Sequence, residues 1–136
     1  PPLALDVFKL QQVLVNVLTN AAHATPPGGR ITVRTYRRGG RLMTERSKSA
    51  EPDRFESGGE AIILEVDDSG SGIPEEALGK LFDPFFTTKP TGQGTGLGLA
   101  VSRQIVELHG ASIKIGNRPD GGARVTIAFN VLKERA

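Results

Sequence analysis

The sequence predicts an α/β two-layer sandwich, with helices covering one face of a mixed, mostly antiparallel sheet. Three observations carry this. Two segments, 7 to 24 and 97 to 109, repeat apolar residues at helical spacing, whereas 31 to 35, 61 to 66, 111 to 117 and 123 to 131 read as strands. Turn signals rich in Gly and Pro separate them, and no internal repeat is present.

The first helix places Leu10, Val13, Leu14, Val17, Leu18 and Ala21 on one face. Asp6 stands at its N-cap, and Thr25-Pro26-Pro27-Gly28-Gly29 ends it. Ile31, Val33 and Thr35 alternate with Arg30, Thr32 and Arg34, the pattern of a half-buried strand. Residues 38 to 60 are polar and Gly-rich without a period, and read as a long loop joining two antiparallel strands. The second strand, Ala61 to Val66, runs into Asp67-Asp68-Ser69-Gly70-Ser71-Gly72. A short helix begins at Pro74, a favoured first helical residue, and extends to Leu81. Residues 83 to 95 are loop-like. The second long helix buries Leu97, Ala100, Val101, Ile105 and Leu108, and Gly110 terminates it. Two closing strands flank the turn Pro119-Asp120-Gly121-Gly122.

A chain of 136 residues with 38% hydrophobic and 24% charged residues is long enough for one domain, 1–136, with its own core. Seventeen Lys and Arg against fifteen Asp and Glu are too balanced to call for nucleic acid. Eight of those bases lie between Arg30 and Arg54, a pattern that fits a solvated hairpin surface better than a docking surface. Without cysteine there is neither a disulfide nor a thiolate metal site. No stretch reads as a membrane span or signal peptide, so the expected location is cytoplasmic, with anchoring left to a longer parent protein.

Three segments bear chemistry. Gln12, Asn16, Asn20 and His23 recur at steps of four, four and three, forming a polar stripe beside the apolar face of the first helix. Such a stripe is either a wetted surface or a site, since an Asn amide oxygen is a hard ligand suited to Mg²⁺. Asp68-Ser69-Gly70-Ser71-Gly72 leaves a strand directly. It is either a structural turn or a carboxylate placed to accept from an exocyclic amine, with glycines admitting a flat ring. Gly92 to Leu99 is glycine-rich and leads into a helix, where backbone N–H groups and the helix dipole favour an anion. It lacks the Gly-Lys-Ser/Thr of a Walker loop, and no strand leads into it as in a dinucleotide fingerprint. Lys89 stands just upstream as a mobile charge.

In order and spacing these segments resemble the catalytic, ATP-binding domain of two-component sensor histidine kinases, within the superfamily of gyrase, Hsp90, histidine kinase and MutL ATPases. The N box is Leu10 to Ala21, the first glycine box Asp68 to Pro74, the F box Leu81 to Lys89, and the second glycine box Gly94 to Ala100. The resemblance covers nearly the whole chain and implies the Bergerat ATP-binding fold, with ATP and Mg²⁺ as cofactors. It implies Asn20 as the metal ligand, assisted by Asn16, and Asp68 as the reader of the adenine amine, supported by Gly70 and Gly72. Phe82 and Phe85 would anchor the ATP lid. The implied nucleotide-contacting set is Asn16, Asn20, His23, Asp68, Gly70, Gly72, Ile73, Phe82, Thr87, Thr88, Lys89, Gly94, Thr95, Gly96, Leu97 and Gly98.

Asn16, the position given a catalytic role, also separates branches. Gyrase- and Hsp90-like ATPases carry a Glu general base there, whereas an amide cannot usefully accept a proton. The resemblance therefore implies ATP held for a histidine on a separate helical dimerisation domain, with a response regulator downstream. The parent would be a homodimer and this piece a monomer, with the phosphoacceptor and sensor domains outside it. The rivals are an autonomous ATPase, a degenerate nucleotide-binding interaction module, and a serine kinase. Neither His23 nor His109 has the acceptor context of His, acid, Pro. His23 falls where relatives carry a phosphate-contacting base, and His109 reads as structural. Ala24 replaces a frequent aromatic residue, and Ala123 stands where relatives often place a hydroxyl near adenine, a role Thr126 is available to supply.

Overall fold

The computed structural model describes residues 5–39, 60–86 and 98–131. Helix α1 spans Val7–Ala24, as expected from its period, with the Asp6 carboxylate accepting from Lys9 N at 3.1 Å. It buries Val13, Val17 and Ala21 and ends where Thr25 folds back onto the Ala21 carbonyl through both its N–H and its hydroxyl. Strands β1 (Ile31–Gly39) and β2 (Glu60–Asp68) follow, then the single turn α2 (Glu75–Leu78). Helix α3 (Gly98–Leu108) and strands β3 (Ser112–Asn117) and β4 (Ala123–Asn130) complete the order. The loop expected over 38 to 60 gives up its ends to β1 and β2; residues 40–59 lie outside the described residues.

The sheet order is β1-β2-β4-β3, and among the described residues every pairing is antiparallel rather than mixed. Both long helices lie on one face. There Val13, Val17, Ala21, Ile105, Val106 and Ala111 pack against Val66, Ile113 and Ile127. Burial of this continuous apolar surface is the main source of stability.

Two expectations about faces need correction. Ile31, Val33 and Thr35 do not form a buried face: Ile31 is 37% and Val33 51% exposed. They stand opposite Asp68, Val66 and Leu64, on the helix side, but α1 packs over β2 and leaves the edge strand uncovered. Helix α3 buries Ser102, Ile105 and Val106, while Leu108 is 77% exposed. The inward stripe runs through Gly98, Ser102, Ile105 and His109, because these positions face α1. Asn16 Nδ2 donates to the Gly98 carbonyl and Ser102 Oγ, and His109 Nε2 accepts from Asp6 N at 2.9 Å. Polar residues on the stripe hide it from an apolar count, and His109 is a structural joint, as expected.

The sheet's other face carries a charge network. Asp67 receives Arg124 on both oxygens, at 2.7 and 3.0 Å, with Arg34 and Arg118 each 3.5 Å away. Arg34 also faces Glu65, and Arg37 pairs with Glu60, so part of the basic run is engaged in internal ion pairs. Arg41, Arg46, Lys48 and Arg54 lie outside the described residues. The hydrogen bonds from Arg124 hold the Asp67 carboxyl below the usual carboxylate range, against the opposing effect of its burial.

A lowered folded pKa gives stability that is present above the unfolded value of about 3.9 and lost as pH falls through the folded value. Asp67→Asn should therefore cost about 2 kcal/mol at pH 7, moderated because Arg124 keeps access to water. Urea unfolding should show the gap from the unsubstituted chain closing below about pH 4. A gap that is constant across this range contradicts the assignment.

Candidate functional site

The site is assembled where β2 ends beneath the C-terminus of α1. Asp67 and Asp68 are consecutive strand residues, so their side chains leave opposite faces of the sheet. Asp67 enters the arginine network, and Asp68 emerges on the helix side and is buried. Its Oδ1 accepts from Gly70 N at 2.9 Å and Ala123 N at 3.2 Å. No hydrogen bond to Oδ2 is formed among the described residues, and that oxygen is the acceptor this arrangement offers to a ligand. The backbone donor of Ala123 thus serves the carboxylate without any hydroxyl. Thr126 pairs with Glu65 on the opposite face, so it cannot compensate for Ala123 as expected.

The glycines here are required by close approach. A Cβ on Gly70 would lie 2.3 Å from the Ala24 carbonyl oxygen, so the turn sits directly against the end of α1. Gly72 adopts φ +83°, and a Cβ there would meet Asn117 Oδ1 at 2.8 Å. Asn117 clamps the next residue at both backbone groups, accepting from Ile73 N at 2.7 Å and donating to Ile73 O at 2.9 Å. Arg118 reaches under the turn to donate to the Asp68 carbonyl at 2.9 Å. A Cβ on Gly122 would lie 2.0 Å from that same carbonyl. Sequence reasoning does not single out Asn117, Arg118 or Gly122; only Gly122 carries a signal, as part of a turn.

Along α1, Asn16 and Asn20 are half-buried one turn apart, and His23 is exposed in the last turn. From Asn16 to Ala24 the helix rises roughly 12 Å, so one helix flanks the Asp68 turn at one end and the start of α3 at the other. Asn16 Nδ2 donates to α3, to Gly98 O and Ser102 Oγ at 3.3 Å each. This leaves Oδ1 as the atom available to a cation, and an amide oxygen suits a hard divalent ion. Phe82 packs against the core beneath the Arg103 guanidinium, 5.1 Å from its ring centre. Phe85 does not pack as an anchor: it is 72% exposed and holds φ 67°, uncommon for a bulky residue. Thr87, Thr88, Lys89, Gly94, Thr95, Gly96 and Leu97 lie outside the described residues.

Gly70→Ala should push the turn away from α1, costing about 1–3 kcal/mol in denaturant unfolding. Gly79→Ala is the control, since nothing lies within 4 Å of its added Cβ and its φ is −76°. It should stay within about 0.5 kcal/mol. Equal effects of the two would remove the packing argument.

Residues 5–133 match the family described as Histidine kinase-, DNA gyrase B-, and HSP90-like ATPase. The chain is 43% identical over 90 residues to the sensor histidine kinase GtrS of Pseudomonas aeruginosa, covering 65% of itself and 19% of that protein. It is 39% identical over 127 residues to the sensor histidine kinase ZraS of Salmonella typhi, covering 93% of itself and 23% of that protein. The sensor kinase CckA of Brucella abortus is 40% identical over 112 residues, covering 82% of this chain and 11% of that one. The chain thus spans less than a quarter of the length of these relatives. Among solved structures, the catalytic domain of histidine kinase ThkA superposes with a TM-score of 0.70 at 32% identity, over 94% of this chain and 70% of that one. The mycobacterial sensor histidine kinase MprB gives 0.67 at 31% identity, over 92% and 72%. With family, fold and the Asp68 turn in agreement, the chain belongs to the histidine kinase-, DNA gyrase B- and HSP90-like ATPase family, in the branch of sensor histidine kinase catalytic domains.

Proposed function

We propose that residues 1–136 form one ATP-binding catalytic domain that passes the γ-phosphate of Mg²⁺-ATP to a histidine on a separate helical dimerisation domain of a longer sensor kinase. A response regulator would take the phosphoryl group next. The parent would work as a homodimer on the cytoplasmic side, and the isolated piece as a monomer. The observation that carries this reading is Asp68: one oxygen is tied to two backbone donors, and the other is left to accept from an exocyclic amine.

The residues divide the work along α1. Asp68 Oδ2 accepts from the adenine amino group, while Gly70 and Gly72 keep side chains out of the ring's path and Ile73 and Phe82 border it. Asn20 and Asn16 present amide oxygens to the metal, and His23 contacts phosphate from the end of the helix. The fit rests on the donor chemistry of Asn16, whose Nδ2 is engaged by α3. Bound Mg²⁺ neutralises charge on the phosphate oxygens. Thr87, Thr88 and Lys89 belong to the lid, and Gly94, Thr95, Gly96, Leu97 and Gly98, the last of them the first residue of α3, supply backbone donors to the phosphates.

In the transfer, an acceptor-histidine ring nitrogen forms a bond to the γ-phosphorus as the bond to the bridging oxygen breaks, and ADP leaves. Asn16 cannot remove a proton from water, so ATP persists until that nitrogen arrives. The domain contributes position and electrostatics to a nucleophile it does not own.

Calorimetry should find millimolar or tighter ATP binding by the isolated chain with Mg²⁺ present. Asp68→Asn should weaken it at least tenfold, since the amide offers the adenine amine a donor where an acceptor is needed. Adding the acceptor domain should produce acid-labile phosphohistidine. No binding, indifference to Asp68→Asn, or steady ATP hydrolysis by the chain alone would overturn the proposal.

A further inference from the structure

In an antiparallel ladder every second facing pair exchanges backbone hydrogen bonds. Between β2 and β4 this series begins where Val131 N donates to the Glu60 carbonyl. Stepping by two along the register carries it to Val66 with Val125, and next to Asp68 with Ala123. There the pattern breaks. The register ends at Asp67 and Arg124, and Ala123 N donates to Asp68 Oδ1 at 3.2 Å instead of to the Asp68 carbonyl. That carbonyl accepts from Arg118 Nη1 at 2.9 Å. A guanidinium only donates and a carbonyl only accepts, so the sense of this bond is unambiguous.

The Asp67 network does not account for where Arg118 lies. Arg124 already donates to both oxygens of Asp67. Arg118 Nε stands 3.5 Å from Asp67 Oδ2 and, although buried, makes no hydrogen bond among the described residues. Its Nη1 instead reaches the carbonyls of Asp68 and Gly121, at 2.9 and 3.3 Å. The same turn presses Gly122 against the Asp68 carbonyl, where a Cβ would lie 2.0 Å away.

A carbonyl supplied by Arg118 does not compete for the Ala123 N–H, which joins Gly70 N on Oδ1. Oδ2 then remains for a ligand. Without Arg118 the carbonyl would need another donor, and the ladder offers one as its next bond, Ala123 N to Asp68 O. Oδ1 would lose a donor and the carboxylate would be free to turn.

We propose that Arg118 is a positioning residue for base recognition: by occupying the Asp68 carbonyl it directs Ala123 N–H to Oδ1, and so fixes Oδ2 to accept from a 6-amino purine and reject a 6-oxo purine. This rests on the nucleotide reading above and adds the residue that sets its selectivity. The effect of Arg118 passes through Asp68.

Calorimetric titration with ATP and with inosine triphosphate, both in Mg²⁺, reads the selectivity. The unsubstituted chain should prefer ATP at least about tenfold, because the 6-oxo group sets acceptor against acceptor. Arg118→Met should lower ATP affinity about five- to tenfold and leave that for inosine triphosphate within about twofold, so the preference collapses. In an Asp68→Asn background the same substitution should have no further effect on ATP affinity. An equal loss for both nucleotides, no loss at all, or a further loss in that background overturns the role of Arg118 and leaves the nucleotide reading intact. Equal affinity of the unsubstituted chain for both nucleotides, or no binding of ATP, overturns both. Should Arg118→Met not fold, NMR of the unsubstituted chain supplies the test. A correlation across the hydrogen bond should link the Ala123 amide to the Asp68 carboxylate carbon. A link to the Asp68 carbonyl carbon, or to neither, contradicts the arrangement.

Discussion

The structure depends on α1 serving two purposes from faces only about 80° apart on the helical wheel. Val13, Val17 and Ala21 are buried against the sheet and α3, and Asn16 and Asn20 sit immediately beside them. A helix so placed cannot roll or slide without moving core and site together. Two polar joints hold its register against α3: Asn16 with Gly98 and Ser102, and Asp6 with His109. Ten residues separate the joints on α1 and eleven on α3, in opposite directions along the chain, so the helices run antiparallel with nearly matched rise. The apolar contacts between the joints supply the energy, and the joints supply the alignment.

A similar division governs the end of β2. Adjacent acids at 67 and 68 leave opposite faces of the sheet, which gives each a distinct environment. Asp67 is occupied by three arginines and fastens β1, β2 and β4 into one unit. Asp68, held by Gly70 N, Ala123 N and the Arg118 contact to its carbonyl, keeps one oxygen open to a ligand. Rigidity on one face allows a buried carboxylate to be presented on the other. The pieces supporting it come from the β3–β4 turn, so the far end of the chain helps build the site.

Much of this is legible in the sequence, and the gaps have physical causes. The limits of α1 agree to the residue because period, N-cap and proline stop all act locally. The direction of the β1 face follows from its alternation, but its burial depends on how far α1 reaches across the sheet, and α1 stops over β2. The stripe of α3 escapes an apolar reading because Gly98, Ser102 and His109 face α1 through hydrogen bonds that no hydrophobic count detects. Asp68 is identifiable from its glycine-flanked turn, whereas Asn117 and Arg118 reach that turn through contacts 44 and 50 residues away. Phe85 shows the limit of motif reasoning, since the box names the residue without revealing that its ring is exposed.

The central claim is that one metal-bound nucleotide lies along α1, with its purine at Asp68 and its phosphates by Asn16 and Asn20. NMR of the chain with ATP and substoichiometric Mn²⁺ tests this directly, because the paramagnetic ion broadens nearby nuclei most. The side-chain amides of Asn16 and Asn20 should broaden most strongly, while the Gly70 and Ala123 amides shift on ATP binding but stay comparatively sharp. Broadening centred elsewhere, or the same shifts without any effect at Asn16 and Asn20, would contradict the account.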